Sequence, residues 1–255
     1  MIKGFYAAAS AMVAGMHRQN ILTQNIANLD TPGFRQILLA MDDWYVTPIT
    51  QAKQDLQPIK GINTLRQLGY LGLGSETSSE ITDYTQGSLK STSEELDFAI
   101  QGAGFFCVQT PDGERYTRDG RFLRDANNQL VTVDGYKVLD TNGNEITLPS
   151  GQVSVAETGE ITVNNQQVAK IGLDAFNDPQ TELVRAGTNT FAAAGGPTST
   201  TTGTVEQGYL EMSNSNMESL MTQMVIVGRA YEANQRIVGM QDDILGKAIN
   251  NLNRL

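Results

Sequence analysis

The residues with the greatest chemical potential in this chain are its one histidine, His17, and its one cysteine, Cys107. A histidine acts as a general base when a carboxylate orients it, and a cysteine thiolate can attack a substrate or bind a metal ion. Neither residue has a partner at a useful spacing, and one residue of each type is too few for a zinc site. The sequence therefore predicts no catalytic residue, no metal site and no cofactor. It favours a solvated or interface position for His17 and a buried one for Cys107.

Two other stretches resemble known binding loops in part. Residues 140–145 alternate oxygen-bearing side chains as a calcium loop does, but Glu145 and Gly151 stand where that loop needs a glycine and an acid. Gly102 and Gly104 are followed by aromatic residues, whereas a phosphate-binding glycine loop leads into a helix. We therefore expect a hairpin turn in the first stretch and close backbone packing in the second.

Composition narrows the classes of partner. The chain has 255 residues and a formal net charge of −10, which disfavours nucleic acid and anionic membrane surfaces as partners. No run of about 18 apolar residues is present, so we expect no membrane insertion. Polar residues from Ser10 to Asn20 interrupt any signal-peptide core, which predicts export, if it occurs, without a cleaved signal.

Both ends of the chain have the spacing of helices that pair. Apolar residues recur every three or four positions, which is the coiled-coil pattern. We predict helices over residues 2–28 and 214–255, with Ser213 or Asn214 as the cap of the second. The patterned positions are Ile2, Phe5, Ala9, Met12, Met16, Gln19, Thr23 and Ile26, and then Leu220, Met224, Val227, Tyr231, Asn234, Val238, Gln241, Leu245, Ala248, Leu252 and Leu255.

The first predicted helix ends in a turn. Pro32 disfavours helix at the preceding residue, and the pair Pro32-Gly33 is typical of a type II turn in which Gly33 has positive φ. Residues 34–73 stay undecided. The apolar residues at their start fit either helix or strand, and Pro48 and Pro58 are expected to break the segment that follows. The apolar residues are Ile37, Leu38, Leu39, Met41 and Trp44.

From residue 80 to 210 the apolar period falls to two, and turn residues recur every 8–12 positions. Strands are predicted at residues 105–109, 115–117, 130–133, 153–155 and 161–163, in an antiparallel sandwich or barrel, with a loop over residues 192–204. The fold class is α+β. The expected domains are a helical one (1–30 with 214–255), a connecting region (31–79 with 205–213) and a β-rich outer domain (80–204).

Three groups of residues resemble the signatures of the bacterial flagellar hook–basal-body rod family. They are residues 25–34, residues 96–106 with 116–122, and residues 208–216 with 229–235, in the family's order. Ala103 and Ser215 depart from the usual pattern. The matching positions are Asn25, Asn28, Thr31, Pro32, Gly33 and Phe34 in the turn, and Ala99, Gly102, Gly104, Phe105 and Phe106 in the centre.

This resemblance implies a structural subunit of the rod, either the distal or the proximal rod protein, and not an enzyme. It implies self-assembly, contacts with other axial proteins of rod and hook, and type III export to the basal body. The assembly residues would be Ile2, Phe5, Ala9, Met12, Met16, Ile26, Leu220, Met224, Val227, Tyr231, Val238, Leu245 and Leu252.

The alternative is a β-domain that binds a surface or carbohydrate and is oligomerised by its helices. Such a domain would expose aromatic residues at loop tips. Here Phe105, Phe106, Tyr116 and Phe122 fall within predicted strands, which favours the rod subunit.

Overall fold

The computed structural model describes residues 2–43, 46–51, 66–72, 74–197, 199–200 and 203–252. Its elements, in chain order, are α1 Ile2–Ala27, β1 Ile37–Asp43, β2 Val46–Gln51, β3 Arg66–Gly72, β4 Ser75–Thr82, β5 Leu89–Ser91, β6 Phe98–Gln101, β7 Phe105–Thr110, β8 Gly113–Thr117, β9 Phe122–Arg124, β10 Leu130–Thr132, β11 Lys137–Val138, β12 Val153–Val155, β13 Glu160–Val163, β14 Gln166–Lys170, β15 Leu173–Ala175, α2 Pro179–Glu182, β16 Leu183–Arg185, β17 Thr190–Ala193, β18 Ser199–Thr200, β19 Thr204–Gln207, β20 Tyr209–Glu211 and α3 Met217–Leu252.

The chain divides into two compact units. The first, which we call the helical unit, contains residues 1–23, 38–80 and 218–255. In it β1 pairs with β4, and β2 pairs antiparallel with β3. The prediction that Pro48 breaks the structure is wrong, since it lies inside β2 opposite Tyr70. A strand with one neighbour tolerates proline because its other edge needs no donor. Pro58 lies outside the described residues.

The second, the β unit, contains residues 24–37 and 81–217. Its largest sheet has the order β16-β17-β8-β7-β11-β10-β9, and β15 pairs with both β7 and β18. A three-stranded sheet, β12-β13-β14, and the pairs β19-β6 and β20-β5 complete it. All of these pairings are antiparallel. The predicted α+β class with an antiparallel β-rich domain is therefore confirmed.

Strand β7 is central to the core of the β unit. Phe106 and Val108 belong to one buried apolar cluster, and Phe105 and Cys107 belong to another. Successive strand residues point to opposite faces, so one strand supplies both clusters. Buried apolar residues therefore cover both faces of β7.

The predicted strands at residues 105–109, 115–117, 130–133, 153–155 and 161–163 are present as β7, β8, β10, β12 and β13. The predicted loop over residues 192–204 is only partly a loop, because Ser199 and Thr200 pair with Ala175 and Asp174. From residue 37 onward, the undecided stretch forms the strands β1, β2 and β3 in its described parts.

The oxygen-rich stretch at residue 140 is a turn, as predicted. The Asp140 carboxylate accepts hydrogen bonds from the backbone N–H groups of Asn142 and Asn144, at 2.7 and 2.8 Å. Gly143 has a φ of +80°, which a glycine adopts without steric cost. The carboxylate is thus used to hold its own turn.

The start of α3 differs from the prediction. The helix begins at Met217, and neither Ser213 nor Asn214 is its cap. Asn214 instead accepts a hydrogen bond from the Gln36 N–H (2.8 Å) and donates one to the Asp83 carbonyl (2.9 Å). Its side chain is occupied and cannot satisfy the helix terminus. None of the described helices combines the length and apolarity needed to cross a bilayer.

Candidate assembly site

Asn25, near the end of α1, binds the backbone of the segment that follows this helix. Its side chain accepts a hydrogen bond from the Ile37 N–H (2.9 Å) and donates one to the Ile37 carbonyl (2.7 Å). Asn25 is buried, so these two bonds satisfy an amide that would otherwise lose its water. Asn28 donates to the Gln24 carbonyl, and Thr31 donates to Asn28. Polar residues of the turn signature therefore fix the path of residues 25–37.

Gly33 lies where a side chain cannot fit. Its φ is +70°, and the Phe34 N–H donates to the Thr31 carbonyl, as in the predicted type II turn. A Cβ atom on Gly33 would overlap Asp119 N and the carbonyl carbon of Arg118. The Gly33 N–H also donates to the Glu211 carbonyl at 2.7 Å. The glycine thus allows the turn to lie directly against two other segments.

The three signature segments meet at one buried carboxylate. Glu211 Oε1 lies 2.6 Å from Arg35 Nη1, and Glu211 Oε2 lies 2.9 Å from Arg118 Nη1. The Gly87 N–H donates a third bond to the carboxylate. All three charged side chains are at most 5% exposed. We call Arg35, Arg118 and Glu211 the charge triad.

The triad makes further charge-assisted bonds to backbone carbonyls, while Arg35 Nε, Arg35 Nη2 and Arg118 Nε are buried without a partner among the described residues. Arg118 also donates to the Gly102 carbonyl at 2.7 Å, and Arg35 donates to the Thr85 carbonyl at 2.7 Å. Burial lowers the pKa of Arg118 to about 10, while Glu211 opposes that shift. The guanidinium therefore stays charged at neutral pH. A buried pair of this kind is costly to break, because the remaining charge has no water to solvate it.

The central signature provides both packing and acceptors. Ala99 and Phe106 are fully buried, and Phe105 nearly so. Gly102 and Gly104 have φ values of +98° and +143°, and they lead into β7 rather than into a helix. This agrees with the expectation of close backbone packing.

The sequence alone did not identify the charge triad. Arg35, Arg118 and Glu211 each border or fall within a signature segment, but nothing in their spacing indicates that they meet. Arginine and glutamate are also rarely fully buried unless they are paired, so residue type alone does not indicate a buried cluster. The available signal was that Arg35 and Arg118 each lie two positions from a glycine, Gly33 and Gly120 respectively, at which a Cβ atom would overlap the backbone of another segment.

The assembly residues predicted on α3 are on its less exposed side. Leu220 and Val227 are buried, Met224, Tyr231 and Val238 are half-buried, and Leu245 is 40% exposed. On α1, Phe5 and Met16 are exposed, and Ala9, Met12 and Ile26 are half-buried. The side chains of Ile2 and Leu252 lie outside the described part.

The two helices approach each other through other α1 residues. Arg18 Nη2 lies 3.4 Å from Gln223 Oε1, and a Cβ on Gly15 would lie 4.0 Å from Val227. A Cβ on Gly4 would lie 2.6 Å from the Gln241 side-chain nitrogen. As residue numbers rise along α1 they fall along α3, so the helices run antiparallel. Small α1 residues thus face α3, while Phe5 and Met16 stay exposed.

The two residues with the greatest chemical potential, His17 and Cys107, have different surroundings. His17 is exposed on α1. Cys107 is buried, and its thiol donates to Asp174 Oδ2 at 2.9 Å, a partner that the sequence did not indicate. Glu114 lies close by. The Cys107 Sγ atom and one carboxylate oxygen each from Glu114 and Asp174 lie within 4.8 Å of one another. Burial, followed by the Asp174 hydrogen bond and charge, raises the pKa of Cys107, so the thiol stays protonated and acts as a donor.

The aromatic residues that could distinguish a binding domain are also internal. Phe105, Phe106, Tyr116 and Phe122 are all buried in the β unit. Their rings pack edge-on or tilted against neighbouring rings, such as Phe106 against Phe122 at 5.2 Å. They contribute to the core and present no stacking surface.

Three family models match this chain. They describe the flagella basal body rod protein (residues 5–35), the flagellar hook protein FlgE/F/G D1 domain (residues 99–163) and the C-terminal region of the flagellar basal body rod FlgEFG proteins (residues 206–252). The matched ranges include the three members of the charge triad or border them.

Curated relatives are similar over the full length. The flagellar basal-body rod protein FlgG of Borreliella burgdorferi is 32% identical, with all of both chains covered. FlgG of Buchnera aphidicola subsp. Schizaphis graminum is 33% identical over 97% of this chain and 98% of its own. The flagellar hook-basal body complex protein FlhO of Bacillus subtilis is 30% identical, again over both full lengths. This chain therefore belongs to the flagellar basal-body rod protein family.

Proposed function

We propose that this chain is a structural subunit of the flagellar basal-body rod and polymerises through its terminal helices. This proposal depends on one observation: apolar residues are exposed along both terminal helices of this chain, which belongs to the rod family. Phe5 and Met16 on α1, and Ile226, Met240 and Ile244 on α3, are each more than 40% exposed. Apolar surface repeated at helical spacing is the property expected of a helix that packs against a partner.

The helices are proposed to act as a coiled-coil-like pair within each subunit. The antiparallel approach of Gly15 to Val227 and of Arg18 to Gln223 supports this pairing. Glycine and alanine on α1 let the helix axes approach closely, as short side chains do at helix interfaces. The pair would then offer its remaining apolar faces to neighbouring subunits.

The charge triad is proposed to set the direction in which the chain enters and leaves the β unit. It joins residue 35, eight positions after α1 ends, to residue 211, six positions before α3 begins. A single carboxylate that binds two arginines fixes both connections at once. Both ends of the β unit are thereby held in one arrangement.

The partners and the export route are also proposals. We propose that the neighbours are other copies of this chain and other axial proteins of rod and hook. The chain would reach the basal body through the type III export apparatus. These proposals have the family membership as their support.

The test is removal of α3 in cells that lack their own copy of the gene. A chain ending at residue 216 should be secreted but absent from isolated basal bodies, and the cells should not swim. The full-length chain restores complete rods and motility in the same cells. Electron microscopy of basal bodies and immunoblotting of the medium separate failure of export from failure of assembly. Complete rods built with the shortened chain would contradict the proposal.

A further inference from the structure

The β16–β17 hairpin contacts the segment that follows α1. Within the hairpin, Arg185 on β16 lies opposite Phe191 on β17. Phe191 is fully buried and lies opposite Tyr116 of β8. The hairpin is therefore part of the main sheet of the β unit, and any segment that it binds is joined to that sheet.

The loop of this hairpin is closed by hydrogen bonds of its own. The Ala186 N–H donates to the Thr190 carbonyl at 2.9 Å, and the Thr190 hydroxyl donates to the Ala186 carbonyl at 3.0 Å. The Asn189 carbonyl accepts a bond from the Thr117 hydroxyl of β8 at 2.7 Å. These bonds fix the backbone that carries the Asn189 side chain.

The guanidinium of Arg185 binds two carbonyls and lies over two aromatic rings. Its Nη1 donates to the Thr188 carbonyl and its Nη2 donates to the Arg35 carbonyl, both at 2.7 Å. Its Cζ lies 5.2 Å from the ring centroids of Phe34 and Phe191. A planar guanidinium can make these contacts at the same time, because its donors diverge in one plane while its faces stay free for the rings. A lysine ammonium lacks this geometry.

Asn189 binds the turn on the other side of its glycine. Its Nδ2 donates to the Pro32 carbonyl at 2.9 Å and to Asp119 Oδ2 at 3.3 Å. Proline has no N–H, so its carbonyl is the main-chain group through which a donor can hold it. Arg185 and Asn189 thus bind main-chain carbonyls on both sides of Gly33.

The side chain and the main chain of Arg35 are held by different parts of the β unit. The side chain binds Glu211 at 2.6 Å, and the carbonyl accepts the bond from Arg185. One anchor would let the segment rotate about that point, whereas separate anchors restrict its course. The β16–β17 hairpin lies outside the three ranges that the family models match.

We infer that Arg185 and Asn189 are positioning residues for assembly. They hold the main chain of residues 32–35, which connects α1 to the β unit, in the course that the rod requires. They act through this turn. That role rests on the proposed function, since the course of the segment matters for assembly only if α1 packs against neighbouring subunits.

Substitutions at both residues test this role in cells that lack their own copy of the gene. Arg185→Lys keeps the positive charge and removes the planar fork, and Asn189→Ala removes the donor to Pro32. Both chains should be secreted normally, with fewer complete rods in isolated basal bodies and reduced swimming. Circular dichroism of the purified chains checks that the β unit folds. Arg115→Lys is the matched control and should give wild-type rods, because Arg115 lies in the same sheet but its ion pair is with the exposed Asp112.

Hydrogen exchange of the rods that form separates positioning from general stabilisation. The Gly33 N–H donates to the Glu211 carbonyl, so its exchange reports on the turn. In Arg185→Lys rods, residues 33–37 should exchange about tenfold faster than in wild-type rods, since a charge-assisted bond to the turn is lost. Amides of β7 should exchange at the wild-type rate.

Normal numbers of rods with both Arg185→Lys and Asn189→Ala would overturn the inference, and so would unchanged exchange at residues 33–37 in Arg185→Lys rods. An equal rise at β7 and at residues 33–37 would also overturn it, because Arg185 would then stabilise the whole β unit. Failure of the proposed function has a different result: the wild-type chain itself is absent from rods, and the positioning role falls with that function.

Discussion

The β unit and the helical unit bury their apolar residues to very different extents. In the β unit, Phe98, Val108, Ile161 and Phe191 are all at most 1% exposed. Along α3, no described residue after Val227 is buried. Burial of apolar surface is the main favourable term in folding, so the β unit has what it needs within one chain. The distal part of α3 requires a partner to gain the same stabilisation.

This difference separates the stability of the subunit from its ability to assemble. Changes in the β unit should alter the free energy of unfolding of the isolated chain. Changes on the exposed helix faces should alter assembly and leave the isolated chain folded.

Glu211→Gln should produce the largest loss of stability. It leaves Arg35 and Arg118 buried without a counter-charge, and removing one partner of such a pair costs about 3–5 kcal/mol. Urea denaturation followed by circular dichroism of the β signal measures the effect. Glu145→Gln, which breaks the exposed pair with Lys137, is the control and should change little. Equal effects in the two variants would remove the structural role given to the charge triad.

Gly33→Val should come next. A left-handed conformation costs an L-residue about 1–2 kcal/mol, and the new side chain must also displace the backbone at Arg118 and Asp119. Gly143→Ala is the matched control, since its φ is also positive but nothing lies within 4 Å. Urea midpoints and motility should both fall further in Gly33→Val. Similar motility in the two variants would argue that only the turn conformation matters.

Leu245→Asp should leave the isolated chain about as stable as the wild type. The residue is 40% exposed on α3, so a charge there remains solvated in the free chain. In a polymer the same charge would be buried without a partner, which is costly. We expect normal unfolding curves and secretion, but no incorporation into rods. Rods of normal length containing this variant would show that the position is exposed in the polymer as well.

His17→Gln and Cys107→Ser should have the smallest effects. His17 is exposed, and serine keeps a donor for Asp174 in place of the thiol. Cys107→Ser should cost about 1 kcal/mol at most, and motility should be retained in both. Normal incorporation of either variant into a flagellum that does not turn would reveal a chemical role.

Periodicity predicted much of this fold. The helix α1, the strands β7, β8, β10, β12 and β13 and the positive φ of Gly33 all follow from local spacing and turn chemistry. Local patterns succeed where neighbours in sequence determine the conformation.

Contacts between distant residues were not predictable in the same way. The start of α3 shifts to Met217 because Asn214 bonds to Gln36 and Asp83, which no local pattern indicates. The charge triad joins residues 35, 118 and 211 for the same reason. The heptad pattern on α1 predicted Phe5 and Met16 as contact residues, but Gly15 and Arg18 are the ones that approach α3. A 3.5-residue period shows that a helix has an apolar face, but it does not identify the helix that packs against that face.

Hydrogen exchange by mass spectrometry, on the dilute free chain and on isolated rods, tests most directly whether the two units differ in their need for a partner. Amides of β7 and β8 should be protected in both samples. Amides of residues 230–252 should exchange rapidly in the free chain and become protected in the rod. Protection of residues 230–252 in the dilute free chain equal to that of β7 would contradict the account, since α3 would then be stable without any partner.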